Sequence, residues 1–301
     1  MRRLVYTALI GRHEELWEQP MAADSEVDFV CFTDDPDLRS ESWRIELIEP
    51  MLPLDPARSA RSLKIVGHPL VARYDESLWI DARVVLKVDP GAILGTWLAS
   101  ADVAVPRHSY RPSVAAEFAE IMHAGLDDLG RVHEQFNHYA LTGRDRLEEP
   151  VPWTAMLARR HSPAVTRAMD EWMVHVWRYS RRDQLSFVEA MARAGLQAQL
   201  VPMANMESEL HRWPAPIGRS MRRASWANTE SVLAPVVRVG ILERELEEAV
   251  RTLSAGIERR EQQILALEAE LAGRDEEQRA ATTDVPRPRG WARRSRDVAE
   301  G

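Results

Sequence analysis

Cysteine is almost absent. The single Cys31 in 301 residues leaves no internal disulfide framework and suits a reducing compartment. Long apolar runs are lacking too, and none approaches the roughly 20 residues of a membrane-spanning helix. The opening Met-Arg-Arg-Leu-Val-Tyr-Thr-Ala-Leu-Ile is too short in its apolar part for a secretory leader, so a cytoplasmic location is expected. Basic excess is also missing. With 39 Lys and Arg against 47 Asp and Glu, the net charge of −8 argues against a general nucleic-acid binder. What remains is ordinary for a soluble globular chain with some helical excess: 45% apolar and 29% charged residues, enough for one large α/β domain or two small ones.

Strands and helices alternate along the first two thirds. Leu4–Ile10 and Val27–Thr33 read as apolar strands, and Trp43–Glu49 alternates as a half-exposed one does. Asp55-Pro56 supplies an N-cap and a first-turn proline for a helix ending near Pro69. Ser77–Leu86 is a β-branched and apolar run with the pattern of a strand buried on both faces, broken by Asp81. Val103–Pro106 is a short strand, followed by amphipathic helices carrying Val114, Phe118, Ile121 and Met122, then Val132, Gln135, Phe136 and Tyr139. Thr154–Leu157 is a further strand candidate. A helix from Pro163 presents Val165, Met169, Trp172, Met173 and Val176 on one face; another starts at Ser180, and Gln197–Met203 is the last strand candidate. This alternation predicts an α/β sheet covered on both faces.

From about Val236 the composition changes. Leu242, Leu246, Ala249 and Leu253 keep one heptad register; Ile257, Ile264, Leu267 and Leu271 keep another, offset by a stutter. No aromatic residue occurs between 236 and 277. The expected organisation is a globular domain over 1–215, a linker over 216–235, a self-associating coiled coil over 236–277 and a disordered basic tail over 278–301. A lone helix packing back on the domain is the alternative, because Gly256 and Arg260 interrupt the seam.

Five motifs occur in a fixed order: Tyr6-Thr-Ala with Gly11, Cys31-Phe-Thr-Asp-Asp-Pro36, Asp55-Pro-Ala-Arg-Ser-Ala-Arg61 with Lys64, Trp79-Ile-Asp-Ala-Arg83, and Arg182-Asp-Gln-Leu-Ser-Phe187. Together they resemble a glycosyltransferase-like family, long known as a domain of unknown function, that includes plant proteins linked to seed mucilage. The resemblance covers roughly Leu4 to Leu200. It implies a GT-A-like (Rossmann-like) mixed sheet flanked by helices, and hexosyl transfer from a nucleotide-sugar donor. In GT-A enzymes an acid such as Asp81 ends a central strand and faces the donor diphosphate, usually through Mg²⁺ or Mn²⁺.

Each candidate has two readings. Asp34 and Asp35 either form a turn fixed by Pro36 or meet the nucleotide at a strand end. Arg58, Arg61 and Lys64 recur every three residues, so they make either a solvated helix face or a diphosphate grip. Asp81 is either a buried acid paired with an arginine or a donor-site and metal ligand. A metal-binding pattern would place a second acid where Arg83 stands, and that arginine can meet phosphate directly, leaving metal dependence open. His211 offers either a later metal ligand or a packed residue near Trp213. Asp183 either closes a capping box with Ser180 or, with Gln184, faces the donor sugar, as the resemblance implies. His108, Arg111 and Glu117 match a further family motif. His108, Arg111, Gln135 and Tyr139 are candidate acceptor contacts or plain loop and packing residues. Arg159, Arg160 and His161 are candidate phosphate contacts or a surface turn.

The reading that follows is a glycosyltransferase with donor-binding Asp34, Asp35, Arg58, Arg61, Lys64, Asp81 and Arg83, catalytic Asp183 and Gln184, an unidentified acceptor and a coiled coil that makes homo-oligomers. The rival class is a non-catalytic nucleotide-sugar or glycan-binding scaffold, favoured by Arg83.

Overall fold

The computed structural model describes residues 1–11, 15–213 and 235–283. The chain divides into two units, Met1–Arg238 and Val239–Gly301. In chain order the strands are β1 (Arg3–Leu9), β2 (Asp28–Thr33), β3 (Arg44–Leu47), β4 (Glu76–Ile80), β5 (Val85–Leu86), β6 (Val103–Pro106), β7 (Met156–Arg160), β8 (Gln199–Val201) and β9 (His211–Arg212). Seven of them form one mixed sheet, ordered β3-β2-β1-β4-β7-β6-β8, while β5 and β9 pair as a separate antiparallel ribbon. β1 to β4 run parallel where they pair, β7 runs against both β4 and β6, and β8 is parallel to β6.

Side-chain alternation explains the layers. Leu4, Tyr6, Val30, Phe32, Trp79 and Leu157 share one core, whereas Val5, Phe29, Cys31, Leu78, Ile80 and Ala158 share the other. Successive strand residues point to opposite faces, so a strand apolar at every position must be covered on both. The first face is covered by α1 (Pro56–Ile65), α6 (Pro163–Arg178) and α7 (Gln184–Arg193); the second by α2 (Pro90–Trp97) through Ile93, Leu94 and Trp97. α3 (Val114–His123), α4 (Leu129–Thr142) and α5 (Arg144–Leu147) pack on one another, and α3 also meets α7.

Local chemistry sets the helix ends. Asp55 accepts from the Arg58 amide, Ser113 from Ala116, Asp128 from Arg131 and Ser162 from Val165, each satisfying a first-turn N–H. The α1 exit bends at Gly67, whose φ of +89° lies in the left-handed region, while its amide bonds the Ser62 carbonyl at 3.0 Å.

Several boundaries differ from expectation. The run over 77–86 is two strands in two sheets, because Asp81 leaves the ladder and its carbonyl accepts from Val84 N at 2.8 Å to close a turn. α2 has only eight residues, too few to show a helical period in an apolar stretch. The 154–157 strand begins two residues later, and β9 follows the expected last strand. The expected linker lies outside the described residues apart from Pro235, as does 284–301 of the expected tail. α8 (Pro235–Thr283) is one continuous helix of 49 residues, running through Gly256 and beyond the expected end at 277. Leu246, Leu253, Ile257, Leu267 and Leu271 are exposed along it. Among the described residues no helix is long and apolar enough to cross a membrane.

Arg58 ties two helices together. Its Nε donates to the Val176 carbonyl (2.9 Å), Nη2 to the Tyr179 carbonyl (2.7 Å) and Nη1 to Asp55 Oδ2 (2.6 Å). It therefore satisfies orphan carbonyls at the α6 C-terminus. Arg58→Ala is expected to lower stability by about 1.5–3 kcal/mol, the range for charge-assisted hydrogen bonds. Urea unfolding checks this, with exposed Arg131→Ala expected within about 0.5 kcal/mol of the parent.

Candidate functional site

β1 leads away to β2 and β3 on one side, while β4 lies on its other side. Such a switch point opens a crevice beyond the carboxyl ends of the strands. Gly11, with φ of +78°, follows β1, and its amide donates to Asp34 Oδ1 at 3.0 Å. Asp34 thus joins the ends of β1 and β2. Asp35 accepts from the Asp37 amide at 3.0 Å in a side-chain-closed turn. Asp81 stands just past the end of β4, half-buried; its amide donates to the Ala155 carbonyl at 2.8 Å, and the Trp79 indole donates to its Oδ1 at 2.9 Å.

Behind Asp81 lies a buried ion cluster. Lys64 near the end of α1 is 1% exposed, and its Nζ is 2.5 Å from Asp183 Oδ2. Arg61, one turn earlier, donates through Nε to Asp183 Oδ1 at 2.9 Å, and the Thr154 hydroxyl donates to Oδ2 at 3.0 Å. The Lys64 ammonium also lies 5.8 Å from the centroid of the Trp79 ring and in the field of Asp81. Burial opposes the charge on Asp183, but Arg61 and Lys64 more than offset it, so the carboxyl is held well below the usual carboxylate range.

Asp183 therefore does not close the expected capping box. Its side chain makes no cap hydrogen bond although it is the α7 N-cap, and Ser180 Oγ instead donates to Asp127 Oδ2 at 2.6 Å. A carboxylate already clasped by two cations gains more from them than from an amide. Gln184 stands next to it and donates from Nε2 to Glu117 Oε1 at 3.3 Å. Burial pushes the Glu117 carboxyl upward against the pull of Arg111 and Arg182. The guanidinium groups of Arg83 and Arg182 make no hydrogen bond or ion pair among the described residues, and Arg182 acts electrostatically on Asp183 and Glu117.

The structure gathers Asp34, Arg61, Lys64, Asp81, Arg83, Asp183 and Gln184 at the carboxyl edge of the sheet. Others have different surroundings. Arg58 is held by Asp55 and the end of α6, which removes it from a shared grip with Arg61. Gln135 is fully buried, bonding Tyr139 Oη at 3.0 Å and the Ser180 amide at 3.3 Å, so it braces α4 rather than facing an acceptor. His211 is also fully buried: Nδ1 meets Ser208 Oγ and Nε2 the Asn205 carbonyl, both at 2.9 Å, which leaves no lone pair for a metal. Arg159 is buried against the Lys64 carbonyl and Tyr6, and Arg160 pairs with Asp102 and Glu76. His108 and Arg111 line a separate cleft of about 470 Å³ beyond β6. His108 Nδ1 accepts from the Tyr110 amide, and burial, with Arg111 nearby, pushes its pKa down to about 4. Arg111 itself is paired with Glu117 and Glu120. Thr154 carries no signal in the sequence, where it is a lone threonine before a strand.

Residues 26–212 match the family model described as TOD1/MUCI70, glycosyltransferase-like domain. The chain belongs to this family. An Arabidopsis thaliana relative, named "Probable hexosyltransferase MUCI70", is 29% identical over 154 residues, covering 48% of this chain and 26% of that protein's length. Similar solved structures include apo bifunctional WbbM, at 12% identity and a TM-score of 0.35 over 66% of this chain and 38% of the other. Apo mouse xyloside xylosyltransferase 1 is 10% identical, with a TM-score of 0.38 over 66% of this chain and 84% of the other.

In this TOD1/MUCI70 chain the donor set around Asp81 does not fit a divalent metal. The Asp81 neighbourhood holds an ammonium and the Trp79 indole, Arg83 follows two residues later, and among the described residues no three His, Cys, Asp or Glu side chains converge. Asp183→Asn would leave Lys64 buried without its closest anion, at an expected cost of about 3–5 kcal/mol in denaturant unfolding. The same pair contributes stability above the unfolded carboxyl pKa of about 3.9 and loses it as pH falls below that towards the depressed native value. The acid limb of the parent's stability profile should therefore flatten in the mutant.

Proposed function

We propose that this chain is a glycosyltransferase with a GT-A-type donor site, transferring a hexose from a nucleotide sugar to an acceptor hydroxyl. Family membership supports sugar transfer. The observation that carries the site is the pairing, at the β1/β4 switch point, of a charge-balanced cluster with two guanidinium groups that make no hydrogen bond or ion pair among the described residues. Lys64 and Arg61 balance Asp81 and Asp183, so Arg83 and Arg182 are left to meet an incoming diphosphate. Guanidinium forks suit phosphate oxygens.

During transfer the bond between the anomeric carbon and the diphosphate oxygen breaks. The acceptor oxygen bonds that carbon and gives up its proton, and negative charge gathers on the departing diphosphate. Fixed cations stabilise that charge without having to reorganise. Asp34 marks the nucleotide side of the crevice. Asp183 positions Lys64 and Arg61, both of its oxygens being held, while the free carbonyl oxygen of Gln184 accepts from a sugar hydroxyl. The cleft beyond β6, with exposed Tyr110 beside His108, is the acceptor side.

Melting shifts with a panel of nucleoside diphosphates and their hexose conjugates test this, because a ligand bound to the native state raises its melting point. Arg83→Ala and Arg182→Ala should each weaken diphosphate binding by about 1.5–3 kcal/mol. Gln184→Ala should keep diphosphate affinity and lose transfer rate, as a contact made mainly in the transition state does. If no nucleotide binds, the proposal fails. Binding with neither transfer nor slow donor hydrolysis would instead identify the scaffold class.

The exposed leucines of α8 support a second proposal, self-association as a coiled coil in two registers. Light scattering should report the full chain as an oligomer and a chain truncated after Pro235 as a folded monomer. A full chain that is monomeric at micromolar concentration removes this reading.

A further inference from the structure

We infer that Lys64 occupies the role a divalent cation fills in related donor sites, so that this donor site works without a metal. The inference rests on the donor-site reading above and adds what supplies its central positive charge. Three observations lead to it.

The first is position. Lys64 Nζ is 2.5 Å from Asp183 and acts on Asp81, the two acids that the crevice offers behind the diphosphate position. A metal bridging these acids would need oxygen lone pairs. The Lys64 and Arg61 N–H donors and Thr154 Oγ1 already occupy both oxygens of Asp183, and Asp81 Oδ1 accepts from the Trp79 indole, so among the described residues only Asp81 Oδ2 of these two acids is left without a donor.

The second is rigidity. The Lys64 carbonyl accepts from Tyr6 Oη at 2.8 Å and from Arg159 Nη2 at 2.9 Å, so the backbone carrying the ammonium is fixed from the core of the sheet. The side chain is buried along its length. Displacing a lysine so buried would separate its charge from that of Asp183, and an ammonium is retained in such a site only where anions hold it.

The third is charge. Two acids already face two bases, and Arg83 and Arg182 add two positive groups with no hydrogen bond or ion pair among the described residues. A doubly charged ion entering here would meet a positive field before any phosphate arrived. An ammonium fixed behind the diphosphate position supplies positive charge to the acids and to the charge developing on the phosphate, which is the electrostatic task of a metal.

Manganese alone is the direct probe. The full chain, stripped with EDTA and dialysed, is titrated with Mn²⁺ while the paramagnetic signal of free ion is followed. The parent is expected to sequester no Mn²⁺ up to about 1 mM, the weak end of the range of dedicated cation sites. Lys64→Ala exposes Asp81 and Asp183 and is expected to take up Mn²⁺, and adding Asp81→Asn should abolish that uptake. Sequestration by the parent that Asp81→Asn removes would overturn the inference. So would a folded Lys64→Ala chain that ignores Mn²⁺, since Lys64 would then be only a structural partner of Asp183.

If Lys64→Ala does not fold, the parent still decides. UDP or GDP affinity measured in EDTA should change less than about twofold on adding Mn²⁺ if no metal joins the bound ligand. Binding that requires Mn²⁺ and Asp81 would overturn the inference. Silence of every nucleotide in both buffers counts against the donor-site reading alone, while the Mn²⁺ titration still settles what Lys64 does.

Discussion

The buried pair of Lys64 and Asp183 is the constraint on which the rest of the site depends. It joins the last turn of α1 to the first residue before α7, the helices that flank the crevice on one side of the sheet. Removing either charge would strand the other in a medium that solvates it poorly. Arg61 and Thr154 complete the shell around the carboxylate, and Trp79 presents its ring to the ammonium. This arrangement also explains why α7 starts where it does. Asp183 spends its oxygens on cations rather than on the helix N-terminus, and Trp172 Nε1 holds the Asp183 carbonyl at 2.9 Å.

Polar contacts farther out serve the same geometry. Arg58 fixes the end of α6, just before the segment that delivers Asp183. Gln135 reaches the Ser180 amide, and Tyr139, its other partner, bonds His175 Nδ1 at 2.6 Å. These groups hold the α6–α7 connection from below, while Glu117 holds Gln184 from the side. On the opposite wall, Gln19 donates to the Val84 carbonyl at 2.7 Å and accepts from the Leu86 amide at 3.0 Å, pinning the turn after Asp81. Each wall thus includes side chains bonded to backbone, Arg58 and Gln135 on one side and Gln19 on the other.

Periodicity revealed the two-sided sheet and most helices, because apolar spacing is a local property. It also placed Arg61 and Lys64 on one helix face. What it could not give was the partner of each charge. Arg58 and Arg61 are chemically alike and one turn apart, yet one closes a helix end and the other joins the site, since only the tertiary fold brings Tyr179 to the first and Asp183 to the second. Gln135 and His211 failed as ligand candidates for a related reason: a polar side chain in an amphipathic stretch reads the same whether it faces a ligand or a buried carbonyl. Asp183 shows a third limit. A serine three residues before an acid is a sound capping signal until two cations from elsewhere in the chain compete for the acid.

The separation of Arg61 from Asp183, 122 residues along the chain, has a consequence for synthesis. At roughly 5–20 residues per second, on the order of ten seconds pass between the two leaving the ribosome. For most of that interval the first four strands and α1 exist without the anion that makes burial of Lys64 tolerable. The nascent half-sheet must keep its lysine in water, with the floor of the crevice open, until α6 and α7 arrive. Closure of the charge cluster thus has to wait for the last helices of the domain, with only β8 and β9 still to follow.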